Sequence, residues 1–132
     1  MKKVLMYHHA SCDNHGCEAI LRTTAGIIDK QCEAEYTVTS MKPATDEAIA
    51  NKQGKKFRFI LMDKLCNMSF EKRTFILGVF SQVFHSIPFK RYIFKDLLKD
   101  ATDADICISV GGDTYSYGKS AGLTTIDRYV RK

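Results

Sequence analysis
Apolar residues gather near the N-terminus as the short run Val4-Leu5-Met6-Tyr7, the usual opening strand of an α/β domain. After a polar loop the period changes: Cys17, Ile20, Leu21, Thr24, Ile27 and Ile28 recur at helical spacing. Glu18 and Arg22 form an i,i+4 pair on the polar face, and Asp13 or Asn14 is the expected N-cap. Tyr36 to Thr39 reads as a second strand. A short helix is expected from Thr45 to Asn51, with Thr45 as cap and Asp46-Glu47 in its first turn. Phe57 to Leu61 reads as a weaker strand. Phe75, Ile76, Val79, Phe80, Val83 and Phe84 then form a helical stripe that stops near Pro88. A second aromatic helix is expected over about Phe89 to Lys99. Ile106 to Val110 is a nearly continuous apolar strand running into Gly111-Gly112-Asp113, and Leu123 to Lys132 reads as the next helix. This alternation predicts a Rossmann-like parallel sheet with flanking helices. With no internal repeat, residues 1–132 read as one domain, and a chain ending in a helix reads as a fragment.

Composition narrows the class. The 132 residues are 45% hydrophobic and 27% charged, ordinary for a soluble globular domain with one core. The apolar run after the basic start is too short for a signal peptide, and no stretch approaches a membrane span. Together with an odd count of five cysteines, this predicts a cytoplasmic protein with reduced thiols. The net charge of +5 is compatible with nucleic acid, an anionic membrane surface or anionic small substrates.

The loop after the first strand, SCDNHGCEAILRTT, carries the most tempting chemistry. Cys12, His15 and Cys17, with His8 or His9 nearby, supply enough ligand types for zinc. The C-x4-C spacing has no second pair, so packed thiols and loop histidines are expected and no metal. Cys17, near a helix start, is expected to be a small buried hydrophobe rather than a reactive thiol. GDTYSYGKS departs from a phosphate-binding loop because five residues, not four, separate Gly112 from Gly118. The first strand-helix turn lacks G-x-G-x-x-G, so NAD binding is not expected. Lys72, Arg73, Lys90, Arg91 and Lys95 on the aromatic helices read as solvated charge, with peripheral contact to an anionic membrane as the alternative. No DNA- or RNA-binding motif accompanies the charge, so no nucleic-acid partner is expected.

Two loops remain. Asn14, Gly16 and Glu18 follow the first strand, and Gly111, Gly112 and Asp113 follow a later one. In a parallel sheet both lie at the carboxyl ends of strands, where ligands bind. Glycines let backbone N–H groups approach a ligand, and Asn, Glu and Asp side chains grip sugar hydroxyls.

DNHGCEAILRTT together with ADICISVGGDTYSYG resembles the N-terminal half of the polysaccharide pyruvyl transferase family, whose first-loop pattern is close to G-N-x-G-[CD]-E-x-I and whose later strand ends in G-G-D. Asn14, Gly16, Glu18, Gly111, Gly112 and Asp113 match these motifs, whereas Asp13 stands where the family has Gly. The resemblance implies two Rossmann-like domains similar to GT-B glycosyltransferases. It also implies transfer of pyruvate from phosphoenolpyruvate, the donor substrate, to hydroxyls of a glycan or lipid-linked saccharide as a ketal. No cofactor is implied. The donor-binding basic residues and a catalytic histidine are expected in a C-terminal domain that residues 1–132 lack. Asp113 is the expected catalytic residue of this half, orienting a sugar hydroxyl or removing its proton. Two alternatives remain: a GT-B glycosyltransferase domain, or a non-catalytic sugar-binding domain.

Overall fold
The computed structural model describes residues 1–54, 57–63 and 92–111, with 68–69, 71–72, 75–76, 79 and 130 beside them. Among these, β1 (Lys2–Tyr7), α1 (His15–Asp29), β2 (Ala34–Ser40), α2 (Pro43–Ala50), β3 (Phe57–Leu61), α3 (Lys95–Asp103) and β4 (Ile106–Ser109) follow in chain order. The strands form one sheet in the order β3-β2-β1-β4, and every pairing is parallel. Val4 lies between Tyr36 of β2 and Ile106 of β4. β1 is therefore central, which explains why Val4 to Tyr7 is an unbroken buried run rather than an alternating one. This is an α/β, Rossmann-like arrangement, as the alternation of apolar periods predicts.

Each face of the sheet has its own core. Val4, Met6, Tyr36, Val38, Phe57 and Phe59 pack with Leu21 and Ala25 of α1 and Ala50 of α2. Leu5 and Tyr7 point the other way and pack with Leu97 and Ala101 of α3 and with Val130. The helices preceding β2 and β3 share one face, while α3, preceding β4, lies on the other. That switch accompanies the reversal of strand order between β1 and β4, the place where open α/β sheets collect ligands. No helix among the described residues is long and apolar enough to cross a membrane.

Several elements depart from the sequence expectation. Within α1, Leu21 and Ala25 are buried while Ile20 is 39% and Ile27 is 59% exposed. At about 100° per residue these two isoleucines lie roughly 100° and 120° around the helix from Leu21, outside the narrow stripe a flat sheet can cover. α2 begins at Pro43, with Lys42 at the cap position, so Thr45 is not the cap. Proline's fixed φ and missing N–H suit the first helical turn. α2 gives way to a short 3-10 turn, Asn51–Gln53, which Gly54 closes in the left-handed region at φ 85°. Of the second aromatic helix, Phe89 to Arg91 lie outside the described residues and Tyr92 and Ile93 are helical, while α3 runs past the expected end to Asp103. Of the first aromatic stripe, Phe80, Val83 and Phe84 lie outside the described residues, while Phe75 and Val79 are exposed. The expected helix from Leu123 also lies outside them, apart from Val130.

Candidate functional site
The carboxyl end of β1 is built around a bend. His8 has φ 64°, in the left-handed region that side chains other than glycine's rarely adopt. Such a conformation costs on the order of 1–3 kcal/mol and persists only where surroundings hold it. They do here: the His8 ring tilts against Tyr7 with centroids 4.8 Å apart, and its Nδ1 lies 3.0 Å from Ser109 Oγ on β4. The backbone continues the tie, because Val110 N–H donates to the Tyr7 carbonyl at 2.9 Å. The loops leaving β1 and β4 thus start side by side.

Beyond the bend the chain turns under the α2 face. Asp46, fully buried in the first turns of α2, gathers three segments. Its Oδ1 accepts from Ser11 Oγ at 2.9 Å and from the Cys12 N–H at 2.8 Å. Its Oδ2 accepts from Ser40 Oγ at the end of β2 and lies 3.8 Å from His9 Nε2. Cys12 Sγ is 3.4 Å from the same His9 nitrogen. His9, Cys12 and Asp46 are each at most 1% exposed, so the three meet out of water. Burial pulls the His9 imidazole below its ordinary pKa, against the opposing pull of Asp46 and Glu18. Burial, followed by the Asp46 charge, pushes the Cys12 thiol up to about 12. Both Cys12 Sγ and Asp46 Oδ2 face Nε2, so these residues do not form a relay with the acid on one ring nitrogen and the nucleophile on the other. They form a closed, polar clasp.

The residues singled out in the first loop separate accordingly. Asn14 is the N-cap of α1, its Oδ1 accepting from Gly16 N–H at 2.9 Å. A Cβ on Gly16 would stand 3.2 Å from that oxygen, so glycine there preserves the close turn. Glu18 accepts from Arg22 Nε at 2.8 Å, the pair expected from spacing, and Arg22 also donates to the Ala50 carbonyl. His15, its side chain 98% exposed, points to solvent, and Cys17 is half-buried on α1. The grouping of Cys12 with His15 and Cys17 therefore gives way to Cys12 with His9 and Asp46. Gly111 follows directly on buried Val110, whereas Gly112 and Asp113 lie outside the described residues. Arg58 is tied to Asp100 and Thr37 on the α3 face.

Sequence reasoning passed over Asp46 as an ordinary first-turn acid. No local signal marks it, because two of its partners lie 34 and 35 residues away in the chain. Fold and site together define an α/β protein with a Rossmann-like parallel sheet and adjoining loops at the carboxyl ends of β1 and β4. Compared with known proteins, the chain matches no family model, no curated protein and no solved structure.

Proposed function
We propose that residues 1–132 form the acceptor side of a polysaccharide pyruvyl transferase acting in the cytoplasm, in contact with the inner face of the membrane, during cell-surface polysaccharide synthesis. The observation that carries this reading is the pairing of Tyr7 with Ser109, which starts the chain segment leading to Asn14, Gly16 and Glu18 beside the end of β4, from which the sequence runs on to Gly111, Gly112 and Asp113. The resemblance of both loops to that family's motifs supplies the chemistry. Asn14, Gly16 and Glu18 bind the acceptor from the β1 side, and Gly111 and Gly112, free of side chains, bind it from the segment that follows β4.

In this reading a donor-side acid protonates the methylene carbon of phosphoenolpyruvate. One sugar hydroxyl attacks the adjacent carbon, phosphate leaves with the C–O bond electrons, and a second hydroxyl closes the ketal. Phosphoenolpyruvate and a diol become a pyruvate ketal and inorganic phosphate. Asp113 orients the first hydroxyl or takes its proton, a role worth roughly a hundredfold to ten-thousandfold in rate. The donor is gripped by a second domain, and no cofactor takes part.

The test is phosphate release and ketal formation by the full reading frame, with phosphoenolpyruvate and a panel of galactosides and mannosides. Turnover that falls at least a hundredfold in Asp113→Asn, and is absent from residues 1–132 alone, is expected. Transfer from a nucleotide sugar without phosphate release from phosphoenolpyruvate would instead identify a glycosyltransferase. Saccharide binding with neither reaction would identify a binding domain.

A further inference from the structure
We infer that His9, Cys12 and Asp46 form a binding site for one thiophilic divalent cation, zinc by preference, that clasps the loop after β1 to α2. The inference stands on geometry and is independent of the pyruvyl transferase reading. One donor atom from each residue (imidazole nitrogen, thiol sulfur, carboxylate oxygen) lies within 4.8 Å of the other two. Zinc bonds nitrogen and oxygen at about 2.0–2.2 Å and sulfur at about 2.3 Å, so the edges of a zinc tetrahedron measure roughly 3.3–3.8 Å. The observed Sγ–Nε2 separation of 3.4 Å falls on that scale, the Nε2–Oδ2 separation of 3.8 Å lies at its upper limit, and the sulfur–carboxylate pair stays within 4.8 Å. Closing the sulfur–carboxylate edge, by rotation of the Cys12 and Asp46 side chains, turns this clasp into a coordination half-shell.

The donors also suit the ion in hardness and charge. A thiolate and an imidazole select zinc over magnesium or calcium, which prefer all-oxygen shells. Binding displaces the thiol proton to solvent, leaving thiolate, carboxylate and neutral imidazole around a dication. The complex is then neutral, which removes the penalty of burying an uncompensated charge. Asp46 is held for this role by Ser11 and the Cys12 N–H on Oδ1 and by Ser40 on Oδ2. Coordination through Nε2 leaves the proton on Nδ1 of His9, a buried nitrogen with no hydrogen-bond partner among the described residues. Three protein ligands leave one tetrahedral position for water or another group. Exposed Asp13 and Asn14 follow Cys12 directly, so the site lies just beneath the surface.

The experiment loads the metal-free, reduced protein with cobalt(II), then competes it with zinc. Expected are one cobalt per chain, a tetrahedral visible spectrum and a charge-transfer band with the intensity of a single thiolate. Zinc should erase the spectrum and raise Tm by about 10 °C at a hundredfold excess over Kd. Both responses should vanish in Cys12→Ser and persist in Cys17→Ser and Cys32→Ser. Where Cys12→Ser fails to fold, the thiolate count on the unaltered protein still decides. Absence of stoichiometric binding, a spectrum with no thiolate or with two, or an undiminished response in Cys12→Ser would each overturn the site.

Discussion
Asp46 gathers Ser11, Cys12 and Ser40 and is itself fully buried, so its loss strands the buried Cys12 N–H and Ser40 hydroxyl. Asp46→Ala is expected to lower unfolding free energy by about 3 kcal/mol, read from urea denaturation of the metal-free protein. A loss below about 1 kcal/mol would mean that the loop finds other partners. Tyr36 offers a pH test at the same scale. Its single hydroxyl proton is shared between the Ala25 carbonyl and the Asp29 carboxylate, and burial, then the Asp29 hydrogen bond and charge, push its pKa far above the ordinary value. A raised folded pKa means stability is full below the unfolded value of about 10 and falls as pH climbs above it. Denaturation midpoints should therefore drop between about pH 10 and 11, and Tyr36→Phe should flatten that limb. An unchanged slope in the variant would assign the alkaline loss elsewhere. These side chains show where sequence reading stops. Tyr36 was legible as an apolar strand residue, and Asp46 as a first-turn acid. Their partners were not, because hydrogen bonds across elements leave no periodic trace.

Helices and strands were unequally legible, for a physical reason. A strand buried on both faces must be apolar throughout, so the central β1 stands out as a run, while β4, apolar in sequence, lies at the described edge with Ile106 exposed; β3 was placed at its observed bounds. A helix lying on a sheet buries only a stripe, and its flanking apolar positions stay in solvent. Ile20 and Ile27 thus looked like core and are not. The helix starts depended on single residues. Asn14 was one of two caps the sequence allowed, and its side-chain bond to Gly16 selects it, while Pro43 overrode Thr45. Asn14→Ala should cost about 1 kcal/mol, with Asn14→Asp retaining most of it, measured by thermal or urea unfolding. Equal stability of Asn14→Ala and the parent would show that another group caps α1. Of the candidate site, the strand ends of β1 and β4 were legible from the apolar runs that lead into them, whereas Gly112 and Asp113 lie outside the described residues. The clasp beneath those strand ends was not legible.

At the scale of the whole molecule, the alternation of strand and helix made the parallel sheet legible, but not its order. Nothing in the sequence says that β4 returns across the sheet to lie beside β1, since that choice depends on packing between segments far apart in the chain. Yet β4 is what completes the centre. Without it, Leu5 and Tyr7 lose Cys107 beside their cluster, and His8 loses the hydroxyl that steadies its left-handed backbone 101 positions away. The order of the strands therefore sets a timetable for synthesis. β1 leaves the ribosome first and finds β2 soon afterwards. At about 5–20 residues per second, its other edge waits on the order of 5–20 s for residues 106–109. Through that interval the nascent chain carries an unpaired apolar edge able to recruit a second copy. Chains halted after residue 103 should accordingly sediment as oligomers, while chains halted after residue 111 should be largely monomeric. Monomeric behaviour of the shorter chain would mean that the α2 side alone holds the fold, and that the edge of β1 is shielded before β4 arrives.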